Sequence, residues 1–116
     1  MVNLSNKDNE WLMVELKVCR AVLGISQMDI AVFADVSPQA VKRIENNKTN
    51  PRIATVRRIR ETINFLGVEM HVDENGLLTQ KLAPKLVEAL NKGRLKEYVY
   101  ERTEAKAKIL LESDRL

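Results

Sequence analysis

Cysteine occurs once in this 116-residue chain, at Cys19, which excludes an intrachain disulfide and a cysteine-built zinc cluster. A lone thiol on a helical apolar face reads as core filler rather than as a nucleophile. Histidine also occurs once, at His71, with no acid at metal-ligand spacing on the same face, so no metal site is expected. Aromatic residues make up only 4% of the chain, and Trp11 and the two tyrosines are too scattered to form a base-stacking platform. Ser26 and Ser37 have no histidine or lysine base at a suggestive spacing, and no glycine-rich phosphate loop is present. Neither catalysis nor a cofactor is therefore expected. No apolar run approaches the ~20 residues of a membrane span. Residues 1–10 are polar and mixed in charge rather than basic-then-apolar. A reducing cytoplasm is the expected location, with no membrane partner.

Helix formers fill the space these absences leave. There are four glycines and three prolines, few stretches alternate apolar with polar, and 45% of residues are apolar, which points to an all-α fold. A chain this short supports one domain with an appendage, or one extended domain. The first helix is expected from about Lys7 to Leu23, where Leu12, Leu16, Cys19 and Leu23 make an apolar stripe that Gly24 ends. Ser26 then reads as an N-cap for a second helix, Gln27–Ala34, with Ile30, Ala31 and Ala34 inward. Ala31 suits two short helices that cross closely. Asp35-Val36 makes the turn, Asp being a residue that tolerates left-handed backbone. Ser37-Pro38 is a strong start signal for a third helix, Pro38–Asn46, with Val41 and Ile44 inward and Gln39, Lys42 and Arg43 outward. Asn46-Asn47 ends it.

A fourth helix is expected over about Ile53–Leu66, with Gly67 as its stop. Val68–Val72 alternates weakly as a short extended segment, and Asp73-Glu74-Asn75-Gly76 is a turn. Leu78, Leu82, Leu86 and Leu90 repeat every four residues, which predicts a helix with Pro84 in its first turn and Asn91-Lys92-Gly93 as its break. A last helix, about Arg94–Ser113, carries Leu95, Tyr98, Arg102, Ala105 and Ile109 on one face, Arg102 interrupting the stripe. This face is expected to pack on its own domain or a twin subunit.

The net charge of +3 conceals an uneven distribution. Between Val36 and Arg60 stand Lys42, Arg43, Lys48, Arg52, Arg57, Arg58 and Arg60 against the single acid Glu45, a net of +6. From Glu61 to Gln80 the acids Glu61, Glu69, Asp73 and Glu74 face no lysine or arginine, a net of −4. Concentrated cations beside a capped short helix with polar outer residues suit a phosphate backbone and the base edges of a major groove.

The run Leu23-Gly24-Ile25-Ser26-Gln27, Ile30-Ala31, Asp35-Val36-Ser37, Val41-Lys42-Arg43-Ile44-Glu45 and Pro51 resembles the Cro/repressor-type (XRE) helix-turn-helix family, spacing and chemistry agreeing over some 30 positions. The resemblance extends through Thr55–Gly67 and ends near Gly76. It implies a lambda-repressor-like, all-α bundle of four to five helices over residues 7–72, its helix-turn-helix at about 27–46, and a C-terminal helical extension over 77–116. It implies that Gln27 bonds a phosphate and helps hold the recognition helix. Ser37, Pro38, Gln39, Lys42 and Arg43 would face the groove, Gln39 suiting adenine and Arg43 guanine. Asn46, Lys48, Asn50 and Arg52 would meet the backbone, and Arg20 and Glu45 would form a buried ion pair. Asp35 and Asn47 stand where the family usually has glycine. Pro38 stands where several relatives carry a hydrogen-bonding side chain, which shifts base readout to Gln39, Lys42 and Arg43.

The function implied is a sequence-specific transcriptional regulator, a repressor that binds a palindromic operator in double-stranded DNA as a homodimer. The alternative is an antitoxin that represses its own operon and binds a toxin through residues 77–116. A third reading, an interaction module that has lost DNA binding, is opposed by the intact basic patch.

Overall fold

The computed structural model describes residues 6–48 and 50–114, and the last two residues of the expected extension lie outside them. Six helices and one hairpin follow in order: α1 (Asn6–Leu23), α2 (Gln27–Ala34), α3 (Pro38–Glu45), α4 (Ile53–Phe65), β1 (Val68–Val72), β2 (Leu78–Leu82), α5 (Pro84–Asn91) and α6 (Leu95–Asp114). They divide into two compact units, one ending at Asn64 and the other beginning at Phe65.

The first unit holds α1 to α4, with α3 packed on both α1 and α2. Its core is the set of stripes legible in the sequence: Leu12, Leu16 and Cys19 from α1, Ile30, Ala31 and Ala34 from α2, Val41 and Ile44 from α3, and Val56, Ile59 and Ile63 from α4. Burial pushes the Cys19 thiol up to about 12, so it stays protonated and inert as core filler. Three helix ends close in the same way. Gly24, Asp35 and Asn47 all adopt left-handed backbone. The following N–H then reaches back five residues: Ile25 to the Arg20 carbonyl, Val36 to Ala31 and Lys48 to Arg43, at 3.1–3.3 Å. At the last two sites a short polar side chain tolerates the geometry that glycine would adopt freely. Helix α3 ends one residue earlier than expected, with Asn46 as its C-cap.

The second unit corrects one expectation. Leu78–Leu82 is not the first turn of a helix running to Leu90. It is strand β2, antiparallel to β1 in the register Val68↔Leu82, Met70↔Gln80 and Val72↔Leu78. A spacing of four places residues on one face of a helix and, being even, also on one face of a strand. Pro84 decides between them. It holds the preceding Ala83 in an extended conformation (φ −59°, ψ 143°) and takes the first helical position itself, so α5 starts there and no helix passes through. Asp73 shapes the hairpin turn by accepting the Asn75 and Leu77 amides at 2.9 and 2.8 Å. The expected turn at Asp73-Glu74-Asn75-Gly76 joins the two paired strands.

Leu86 and Ala89 of α5 and Tyr98 of α6 are buried, as are Leu66 and Val68. The Tyr98 hydroxyl donates to the Leu66 carbonyl at 2.8 Å. Arg102 does not interrupt the α6 stripe as its charge suggests: its guanidinium lies 3.9 Å over the Phe65 ring, an apolar seat for a cation. Gly67 (φ +100°) is required where the chain enters the hairpin, because a Cβ there would lie 2.5 Å from the Tyr98 hydroxyl. Gly67→Ala should combine backbone strain with loss of the Tyr98 hydrogen bond, destabilising the chain by about 2–4 kcal/mol in thermal or urea denaturation.

Candidate nucleic-acid interface

The site begins with how α2 and α3 are started. Ser26 Oγ accepts the Asp29 amide at 3.0 Å while Asp29 Oδ2 accepts the Ser26 amide at 2.8 Å, a reciprocal capping box. Ser37 Oγ accepts the Ala40 amide at 3.1 Å, and Pro38 fills the first helical position. Caps at both ends give an eight-residue helix a defined length that its propensity alone would not supply.

The inner edge of α3 is fixed by one carboxylate. Glu45 is 5% exposed, and Arg20 Nη1 donates to both of its oxygens at 2.7 and 2.8 Å. The Gln27 amide nitrogen donates to Oε2 as well, and Arg20 Nε donates to the Ile25 carbonyl at 3.2 Å. One buried group therefore ties the end of α1, the start of α2 and the end of α3. The expected Arg20–Glu45 pair is present. The direct Gln27–Glu45 bond was not anticipated, although Gln27 was expected to help hold this helix. One Gln27 N–H is used on Glu45, and its second remains for another acceptor.

With the inner edge committed, the outer face is open. Gln39, Lys42 and Arg43 are all exposed, between Pro38 at the N-terminal end and Asn46 at the C-terminal end. Lys48, Asn50 and Arg52 follow, exposed, in the loop before α4. The basic block sorts into two groups that its composition does not distinguish. Arg58 donates to the Asp35 carbonyl at 3.1 Å and so secures the helix-turn-helix corner. Arg60 lies 3.6 Å from Glu15, whose carboxyl is raised above its ordinary value by burial and pulled back by Arg60. Lys42, Arg43, Lys48, Arg52 and Arg57 are exposed and make no ion pair among the described residues. Cations left unpaired on a surface otherwise well supplied with acids are available to a polyanion.

His71 is exposed and lies 3.2 Å from Glu69, and no group of three or more histidine, cysteine or acidic side chains is placed to hold a metal among the described residues. No helix among them is long and apolar enough to cross a membrane.

A protein-family model described as Helix-turn-helix matches residues 16–68, from the middle of α1 to the first residue of β1. Neither the search of curated proteins nor that of solved structures found a match. Capped helices, an anchored inner edge and an outer face of exposed polar and cationic side chains thus coincide with the matched segment. Residues 16–68 carry a helix-turn-helix of the Cro/XRE type on a lambda-repressor-like helical fold, which supports a DNA-binding transcriptional regulator.

Proposed function

We propose that the protein is a repressor that binds a palindromic operator as a homodimer in the cytoplasm, laying α3 in the major groove. The observation that carries this reading is the division of α3 into two faces. Val41, Ile44 and Glu45 are buried, while Gln39, Lys42 and Arg43 are exposed and the two cations make no ion pair among the described residues. Gln39 offers an amide whose donor and acceptor match adenine, and Arg43 offers the fork that matches guanine. Lys42 adds a donor with less geometric demand. Pro38 contributes shape, against a thymine methyl. The remaining residues set the register on phosphates: Gln27 through its second amide proton, Ser37 through its hydroxyl proton, and Asn46, Lys48, Asn50 and Arg52 from the loop.

A single such helix reads few base pairs, so useful specificity calls for two half-sites about one helical turn apart. Residues 77–116 supply the partner surface in this reading. Selection of bound duplexes from a random pool, followed by sedimentation of the complex, tests it. The expected result is a two-fold symmetric site with half-sites roughly 10–11 base pairs apart and two chains per duplex. An asymmetric site carrying one chain would overturn the repressor-dimer reading.

The antitoxin reading draws on the apolar residues that α6 exposes, Ile109, Leu110 and Leu111. Co-expression with the product of a neighbouring reading frame separates the two: stable co-purification of an unlike protein through residues 77–116 would favour the antitoxin.

A further inference from the structure

The α6 helix carries two stripes, and its own unit covers only one. Tyr98 is buried and Leu95, Val99, Arg102 and Ala105 are half-buried on the inner face. On the opposite side Tyr100, Thr103, Ala107, Leu110 and Leu111 recur at the three- and four-residue steps that align side chains along one face of a helix. All five are exposed, Tyr100, Leu110 and Leu111 at 66, 54 and 63%. Every residue from 107 to 113 is exposed, so the described residues of its own unit leave the apolar end of this helix uncovered. Glu104 and Lys108, both exposed, follow Tyr100 by one and two turns and flank the stripe.

We infer that a second copy of this chain docks antiparallel on the outer stripe of α6, with Ala107 beside its twin near the two-fold axis. The inference rests on the dimeric reading above and names its surface. The stripe is complementary to itself in that direction. Small Ala107 at the centre lets the helices approach. Each Leu111 then meets the partner's Tyr100, and each Leu110 meets the partner's Thr103. On the edge of the stripe each Glu104 faces the partner's Lys108, twice by symmetry. Lys106, on the other edge, is turned away, with its ammonium 5.9 Å from the Phe65 ring of its own chain. A parallel pair would instead set Glu104 beside Val99 and Lys106 beside Leu111, with no ion pair formed. The contact is small, so association should be on the order of micromolar and should strengthen on a two-site duplex.

The test uses the full chain, sedimented from about 1 to 100 µM with and without the selected duplex. The native chain should show a monomer–dimer equilibrium. Leu110→Glu should weaken it at least tenfold while keeping the native circular dichroism and melting temperature. Glu104→Lys and Lys108→Glu, each like-charged across the pair, should both be weakened. An equimolar mixture of these two variants should form heterodimers, and the double variant should dimerise as the native chain does. Glu104 and Lys108 also lie one turn apart on their own helix, and mixing could not repair repulsion there, so recovery in the mixture supports pairing between copies. A dimer unmoved by these substitutions would overturn the α6 surface and leave the dimeric regulator standing. A chain that remains monomeric at 100 µM, and one per duplex, would overturn both.

Discussion

Replacing Gln39 and Arg43 together by alanine should abolish discrimination between the selected operator and random DNA. A bidentate side chain–base pair is worth about 1–3 kcal/mol of discrimination, so the two together give about 2–6 kcal/mol, or roughly 30-fold to more than 10⁴-fold, per half-site. Neither residue has a structural duty that would confuse the result: both are exposed, and neither makes an ion pair among the described residues. The fold should therefore survive intact, which circular dichroism checks. Salt dependence adds a second readout. If Arg43 reads a base, its loss leaves the slope of log affinity against log salt nearly unchanged, whereas loss of a phosphate contact such as that proposed for Lys48 or Arg52 should reduce the slope by about one. Affinity for random duplex should fall little in the double variant. Equal losses on operator and random DNA would mean that α3 contributes charge and no reading.

The second large effect concerns stability. Glu45→Ala should destabilise the chain by about 3 kcal/mol, some 10–20 °C in melting temperature. Removing the carboxylate leaves the Arg20 guanidinium and the Gln27 amide without their shared acceptor. The effect falls at the lower end of the ~3–5 kcal/mol usual for breaking a buried pair, because the Arg20 side chain is 28% exposed and retains the Ile25 carbonyl. Glu45→Gln should rescue only in part, since one amide oxygen without charge replaces the two carboxylate oxygens that accept from Arg20. An Arg20→Met, Glu45→Leu double variant should be less destabilised than the sum of the single changes, because no charge is left stranded. Additivity would show that the pair is not coupled. Operator affinity should fall in Glu45→Ala even at temperatures where the chain stays folded, since the carboxylate holds the end of α3 in position.

These predictions depend on features of unequal visibility in the sequence. The helix-turn-helix was plain because its signals are local: Ser26 and Ser37 as caps, Pro38 at the first helical position, Asn47 able to adopt left-handed backbone. Side chains whose partners lie far along the chain were harder to read. Arg58 counts as one more cation in a basic block, and only the fold brings it to the Asp35 carbonyl. Arg102 reads as an interruption until the Phe65 ring is placed beneath it. The β2 strand was mistaken because a four-residue leucine spacing satisfies two periodicities, and the deciding residue, Pro84, acts on the backbone before it rather than on the pattern. In α6 the expected stripe packs through Tyr98 and Ala105 while Ile109 at its end is exposed, and the opposite stripe is hard to read because polar Thr103 and small Ala107 separate its large apolar residues.

The central claim is that the outer face of α3 reads base pairs, and a repeated selection with Arg43→Gln measures it most directly. A base-reading Arg43 would be replaced by a side chain that prefers adenine to guanine. The expected result is a preferred site changed at one position in each half-site, with its other positions and its symmetry retained. An unchanged preferred site, bound more weakly, would contradict it.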